Sequence, residues 1–216
     1  MIDDRMIPGA ILAAGEGRRF FGKNKLLLPF RGRSLIYHVV REALSSRLEP
    51  VILVLGCEGG EVLRALGDLA GDPKLRVVEN EEWSSGRASS VRAAISSLPQ
   101  EAPGVVFLQG DMPLMTRGLI DLVLEGFLKS DALLSFPVYK GEKGHPVAFA
   151  RELLPELARL QGDRSGLEVV RRHWTEAWKF PLAPELEPTQ LDIDTLEDYE
   201  RLLRLERKEG KIEALL

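Results

Sequence analysis

The chain has 216 residues, 44% of them apolar and 29% charged, which suits one soluble α/β domain spanning residues 1–216 with a substantial core. Its net charge of −4, from 29 basic and 33 acidic side chains, argues against general binding to nucleic acid or to a membrane surface. No apolar run approaches the ~20 residues needed to span a bilayer. Met1 to Arg5 lacks the basic-then-apolar order of a secretory signal, and Cys57 is the sole cysteine, so a cytoplasmic setting is expected.

Short apolar runs alternate with amphipathic stretches along the chain. Met6 to Leu12, Val51 to Leu55, Leu75 to Val78, Val105 to Leu108 and Ala132 to Val138 read as strands buried on both faces. Leu35-Ile36-Val39-Val40-Ala43-Leu44 and Leu119-Ile120-Val123-Leu124-Phe127 recur at helical spacing. Further on, Pro146 to Phe149 and Trp174 to Phe180 read as strands. Arg151 to Leu160 and Gly166 to His173 read as helices, and a last helix begins near Thr195 and runs through Leu205. Strand alternating with helix predicts a three-layer α/β fold: a mostly parallel sheet with helices on both faces. Ligands of such sheets bind beyond the carboxyl ends of the strands, so the loops there carry the interest.

The first such loop is Leu12-Ala13-Ala14-Gly15-Glu16-Gly17-Arg18-Arg19. Small residues allow close backbone approach, and N–H groups there can face phosphate oxygens. Arg18, Arg19, Lys23 and Lys25 against Glu16 concentrate positive charge in an acidic protein, which suits a polyanionic guest. Gly17 to Lys23 spells the spacing of a P-loop, but Asn24 stands where Ser or Thr is needed. Phe20 likewise spoils a dinucleotide fingerprint. A basic surface turn is the structural alternative.

Gln109-Gly110-Asp111-Met112-Pro113 follows the strand Val105 to Leu108. A carboxylate at that position points into the ligand crevice, where Mg²⁺ prefers one or two carboxylates plus substrate phosphates. A turn-forming aspartate explains it equally well. Asp194, within Asp192 to Tyr199, is the candidate to complete the metal site, although the same segment fits a helix cap. Ser89 and Ser90 open a helical run after a strand and present a polar, anion-tolerant edge; N-capping is the alternative. His145 in Gly144-His145-Pro146 either orients substrate or satisfies a turn. His38 and His173 lie in helical patterns without an identifiable catalytic partner.

These segments together resemble the molybdenum-cofactor nucleotidyltransferases. The resemblance is carried by Leu12 to Gly15, by Arg19 with Phe21-Gly22-Lys23-Asn24-Lys25, and by Asn80, Trp83, Gly86, Ser89, Ser90 and Arg92 to Ala94. Gln109 to Pro113, Gly144 to Pro146, Gly162-Asp163 and Asp192 to Thr195 continue it in order over nearly the whole chain. Ala14 matches the cytidylyltransferase branch, whose guanylyltransferase relatives usually carry a second glycine there. The extra residue in Phe20-Phe21 departs from the pattern.

The resemblance implies a Rossmann-like, glycosyltransferase-A-like fold whose N-terminal half binds the nucleoside triphosphate and whose C-terminal half binds the acceptor. It implies transfer of CMP from CTP to the phosphate of molybdenum-bearing molybdopterin, with Lys25 on the triphosphate and Asp111 with Asp194 on Mg²⁺. Leu12, Ala13, Ala14, Gly15, Gly17, Arg19, Ser89, Ser90, Gly110 and His145 are the expected binding residues. An apo-molybdoenzyme or its chaperone is the expected protein partner. A phosphate-monoester acceptor is already anionic, so a Ser-His-Asp or Cys-His arrangement is not required. Alternatives are a guanylyltransferase of the same pathway, a sugar-phosphate nucleotidyltransferase, and a non-catalytic molybdopterin delivery module.

Overall fold

The computed structural model describes residues 6–15 and 24–213, with side chains through 207. Strands β1 (Gly9–Ala13), β4 (Val51–Leu55), β5 (Leu75–Glu79), β6 (Gly104–Gln109), β7 (Leu134–Tyr139), β9 (Val147–Ala150) and β10 (Ala177–Pro181) form one sheet. Its order is β10-β7-β9-β6-β1-β4-β5, with the short β8 (Glu142–Lys143) hydrogen-bonded to β7. A separate hairpin joins β2 (Pro29–Phe30) to β3 (Arg33–Ser34). β1 runs parallel to β4 and β6, β5 parallel to β4, and β10 parallel to β7. β9 runs antiparallel to both of its neighbours, β6 and β7. The sheet is therefore mostly parallel, with β9 reversed between its two halves and the short β8 antiparallel to β7.

Alternate residues of the same strands feed two cores. Ile11, Leu53, Val106 and Leu108 pack with helices α1 (Leu35–Ser45) and α4 (Arg117–Lys129) on one face. Ala10, Ile52, Val54, Val105 and Phe107 pack on the other against α3 (Arg87–Ser96), α5 (Leu154–Ala158) and α6 (Leu167–Arg172). A strand apolar at every position is thus a strand covered on both sides, as β4 is. A third cluster of Phe30, Leu35, Leu191, Ile193 and Leu202 fastens the terminal helix α7 (Leu196–Glu213) to the hairpin. Each such buried aliphatic contributes about 1.5–3 kcal/mol.

Some expectations change. β1 starts at Gly9 rather than Met6; Pro8 lends its carbonyl to Val106 but has no N–H to give. β5 is not buried on both faces: it is the sheet edge, and Arg76, Val77 and Glu79 are exposed. Trp174–Glu176 forms a 3-10 turn, so β10 begins only at Ala177. The stretch read as one helix from Arg151 to Leu160 is a 3-10 turn followed by α5. The helix α2 (Gly59–Ala65) was hidden by its opening Gly59-Gly60, weak helix formers. No helix among the described residues is long and apolar enough to cross a membrane.

From β1 the chain moves outward to β4 and β5, then returns to lay β6 on the other side of β1. The loops after β1 and β6 therefore part from each other and open a crevice at the carboxyl edge of the sheet. On the outer layer, α4 lies so close to β10 that a Cβ on Gly126 would fall 2.0 Å from the Trp178 ring. Gly126→Ala should lower the denaturant midpoint by an amount equivalent to about 1–3 kcal/mol, because a packed ring and a helix backbone must separate. Unchanged stability of that variant in urea titration would contradict this packing.

Candidate active site

The crevice widens into a cavity of about 730 Å³. Leu12, Ala13, Ala14 and Gly15 line it from β1. Gly17 and Arg19, together with Lys23, lie outside the described residues.

Lys25 opens a 3-10 turn whose two sides are fixed. Asn24 Oδ1 accepts from Leu26 N–H at 3.0 Å, Asn24 Nδ2 donates to the Cys57 carbonyl at 3.4 Å, and Leu26 is buried. From that anchored backbone the Lys25 ammonium crosses to Asp111 Oδ2 and Asp194 Oδ1, each 2.6 Å away. Its side chain is 15% exposed, against 23% for Asp111 and 37% for Asp194. Burial opposes the Lys25 charge, but the charges and hydrogen bonds of Asp111 and Asp194 outweigh it and hold its pKa above the ordinary range.

Asp111 follows β6 after Gly110, whose N–H donates to Leu12 carbonyl at 3.0 Å. Gly110 is buried and is not among the residues lining the cavity; a side chain there would meet the Leu12 carbonyl at 3.0 Å. It packs where the ends of β1 and β6 approach each other. Asp111 in turn offers its carbonyl to Ile193 N–H at 3.0 Å. Ile193 points into the third core cluster, while Asp192 and Asp194 on either side of it line the cavity. Helix capping falls elsewhere: Thr195 and Asp198 exchange bonds, Thr195 N–H to Asp198 Oδ2 at 2.8 Å and Asp198 N–H to Thr195 Oγ1 at 3.2 Å. Asp198 also accepts from the Asp194 N–H at 3.3 Å. The cap is thus supplied by Thr195 and Asp198, and the Asp194 carboxylate faces the crevice.

Asp111 and Asp194 converge on one point, filled by the Lys25 ammonium, with Asp192 beside them. Burial first, and then the charges of Asp111 and Asp194, push the Asp192 pKa up. Among the described residues no ready-made cluster of three or more metal ligands exists. Two hard carboxylate oxygens that already enclose a cation are nonetheless the donor set that a divalent ion shared with substrate phosphates requires.

The expected pair of serines divides. Ser89 is 2% exposed, donates to the Gly86 carbonyl at 2.8 Å and accepts from Asn80 Nδ2 at 2.8 Å. It braces the start of α3 and does not line the cavity. Ser90, which accepts from the same amide at 3.1 Å, does line it. Gly86 has φ +113°, and a Cβ there would lie 2.4 Å from the Gly162 carbonyl, so only glycine lets α3 meet the Gly162-Asp163 loop.

The reversed strand β9 supplies the last wall. Because it runs antiparallel, its beginning lies at the same rim as the ends of β1 and β6, and His145 lines the cavity there. Gln190 clamps the His145 backbone from both sides, accepting from its N–H at 2.7 Å and donating to its carbonyl at 2.8 Å. Lys143 Nζ lies 2.7 Å from His145 Nε2. Lys143 and Gln190 were not anticipated. Lys143 had one local signal, since residues two apart in an extended segment share a face; Gln190 had none. His38 is structural, with Nε2 donating to the Phe30 carbonyl at 2.8 Å.

Burial, then the Lys143 charge, drive the His145 pKa down to about 3. The ring should stay neutral from pH 5 to 8, with no titration of its NMR signals in that range. Because the unfolded chain takes up a proton the folded one refuses, this group makes stability fall as pH drops below about 6.5. An NMR midpoint near 6.5 would contradict the placement.

Comparison with known proteins fits this geometry. A model of the MobA-like NTP transferase domain matches residues 9–177. Nicotine blue oxidoreductase of Paenarthrobacter nicotinovorans is 30% identical over 203 residues, 91% of this chain and 96% of that protein. Molybdenum cofactor cytidylyltransferase of Escherichia coli is 25% identical, over 88% of this chain and 91% of its own length. A crystal structure of a Mycobacterium tuberculosis protein in complex with manganese superposes with a TM-score of 0.73 at 28% identity, covering 92% of this chain and 98% of that one. The chain belongs to the MobA-like NTP transferase family, and is an enzyme of the nucleotidyltransferase class.

Proposed function

We propose that the chain transfers CMP from CTP to the phosphate of a molybdenum-bearing molybdopterin, with Mg²⁺, the N-terminal half holding the nucleotide and the C-terminal half the acceptor. The observation that carries the reading is the meeting of Lys25, Asp111 and Asp194 at the mouth of the β1–β6 crevice. The relative named a molybdenum cofactor cytidylyltransferase and the motifs shared with that branch support the choice of nucleotide and acceptor.

A phosphate-monoester oxygen of the acceptor attacks the α-phosphorus of CTP. A new P–O–P bond forms, the bond from the α-phosphorus to the bridging oxygen breaks, and pyrophosphate leaves with the electron pair. The attacking group is anionic near neutral pH, so no side chain has to remove a proton from it. The chain's work is placement and charge. The backbone of Ala14 and Gly15 approaches the nucleotide closely, Lys25 turns from the carboxylates to the triphosphate oxygens, and Ser90 offers a hydroxyl from the opposite wall. A divalent cation, when bound, neutralises developing charge on the phosphates. Asp111 and Asp194 are the residues that would hold it, the manganese complex of the mycobacterial relative being consistent with such a set.

CTP should be turned over in preference to GTP. The Ala14 methyl is buried at the head of the cavity, and pocket fit of this kind discriminates by about 1–3 kcal/mol, roughly tenfold to a few hundredfold. Pyrophosphate release measured with each of the four nucleoside triphosphates and the molybdenum-loaded pterin checks this. Faster turnover with GTP moves the chain to the guanylyltransferase branch. A redox reaction without pyrophosphate release would instead favour an activity of the kind named for the Paenarthrobacter relative.

Asp111→Asn should lower kcat by about 10²–10³-fold, because an amide holds a cation poorly at the point of charge transfer. Circular dichroism should show the fold retained. A folded variant with full turnover would remove Asp111 from the site's chemistry.

A further inference from the structure

Two lysines line the cavity in very different company. Lys25 has two carboxylates at 2.6 Å. Lys143, half-buried, makes one polar contact among the described residues, with His145 Nε2, and none with a carboxylate within ion-pairing distance. Burying a cation is costly, and its usual remedy is a bonded acid. Burial outweighs the charge of Asp192, which reaches Lys143 only through space, and the group in hydrogen-bond contact is a neutral imidazole.

The hydrogen bond fixes the tautomer. An ammonium can only donate, so His145 Nε2 accepts and the ring proton sits on Nδ1. That Nδ1 is buried with no partner among the described residues, a further unmade bond that this arrangement tolerates. Gln190 holds the backbone of His145 on both sides, so the imidazole cannot turn away freely. The result is an ammonium held in place by a neutral ring, with no carboxylate bonded to it among the described residues.

We propose that Lys143, positioned by His145, is an anion subsite for the phosphate monoester of the acceptor, an inference that rests on the nucleotidyl-transfer reading above. Strand order supplies the geometry. Along the rim, the turn before β9 carries His145, the end of β6 carries Asp111, and the end of β1 carries Ala14 and Gly15. The carboxylates thus stand between an anion site on the β9 side and the nucleotide loop on the β1 side. In-line displacement needs that disposition, the nucleophile arriving from one side of the α-phosphorus and pyrophosphate leaving from the other.

The test uses phenyl phosphate, a phosphate monoester on a flat ring, titrated calorimetrically into the full chain, with CTP and Mg²⁺ titrated separately. Lys143→Met should weaken phenyl phosphate at least tenfold and leave CTP affinity within twofold. Lys25→Met should do the reverse. Because Lys143→Met removes a charge that burial disfavours and no carboxylate bonds, its melting temperature should equal or exceed that of the wild type. His145→Gln, which keeps an acceptor, should retain phenyl phosphate binding better than His145→Phe.

The subsite is overturned if wild type fails to bind phenyl phosphate, or if binding depends on Lys25 and not Lys143. A lower melting temperature in Lys143→Met together with weakened CTP would also overturn it, by assigning the lysine a structural role. Wild type that binds phenyl phosphate through Lys143 but does not bind CTP would overturn nucleotidyl transfer while leaving the anion subsite in place.

Discussion

The contact between Lys25 and the two carboxylates is the constraint on which the rest of the site depends. The three residues are separated by 86 and 169 positions in the chain, so only the finished fold unites them. None of these charges is inexpensive to bury alone, and each becomes tolerable through the others. The fold therefore has to bring the Lys25 turn, the end of β6 and the entry to α7 to one point. The first is fixed by the Asn24 bonds to Leu26 and Cys57, the second by β6 lying beside β1. The third is supplied by the Ile193 N–H on the Asp111 carbonyl and by the Ile193 side chain in an apolar cluster. A charge-rich terminal helix is thereby anchored by the few apolar residues at its entry.

One reversed strand decides the shape of the rest. Had β9 run parallel, its opening would lie at the far edge of the sheet, and His145 with Lys143 would be out of reach of the crevice. Running antiparallel between β6 and β7, it delivers a loop that precedes a strand to the rim otherwise built from loops that follow strands. The N-terminal half of the sheet alone would make a crevice between the β1 and β6 loops. The reversal adds a second wall with a different electrostatic character.

The sequence made the N-terminal half easy to read because its signals are local. Val51–Leu55, apolar throughout, can only be a strand covered on both faces, and the helical spacing from Leu35 to Leu44 is unambiguous. Asp111 and Lys25 were legible from position, one after a buried strand and the other at the end of a basic, glycine-containing loop. Non-local facts were not legible. Nothing in Leu75 to Glu79 says that no strand will pair on its outer side, and that missing neighbour is what exposes Val77. Ser89 and Ser90 look equivalent in a helix start and share the Asn80 amide, but the Gly86 carbonyl draws Ser89 inward and leaves Ser90 on the cavity wall. Lys143 sits in a two-residue strand whose meaning comes from Gln190, 47 positions on, through its hold on the intervening histidine. Asp194 had two readings until Thr195 and Asp198 were seen to share the cap.

The electrostatics of the rim follow from these placements. Asp111, Asp192 and Asp194 face two ammonium groups, one satisfied by carboxylates and one not. Two of the three acids are compensated by Lys25, and the third has its carboxyl pushed toward neutrality by burial and by its neighbours. On the nucleotidyl-transfer reading, a rim so arranged does not favour a bare triphosphate, whose charge the acids oppose. It favours one that brings cationic charge with it, because the acids then become ligands instead of repelling neighbours. The same logic separates the two lysines. Lys25, held by exchangeable carboxylates, can be released when another cation takes its place. Lys143 is held by a neutral ring, so nothing needs to be displaced before it can meet an anion. Two lysines with the same ordinary pKa thus differ in what each one touches, and the tasks proposed for them follow from that difference.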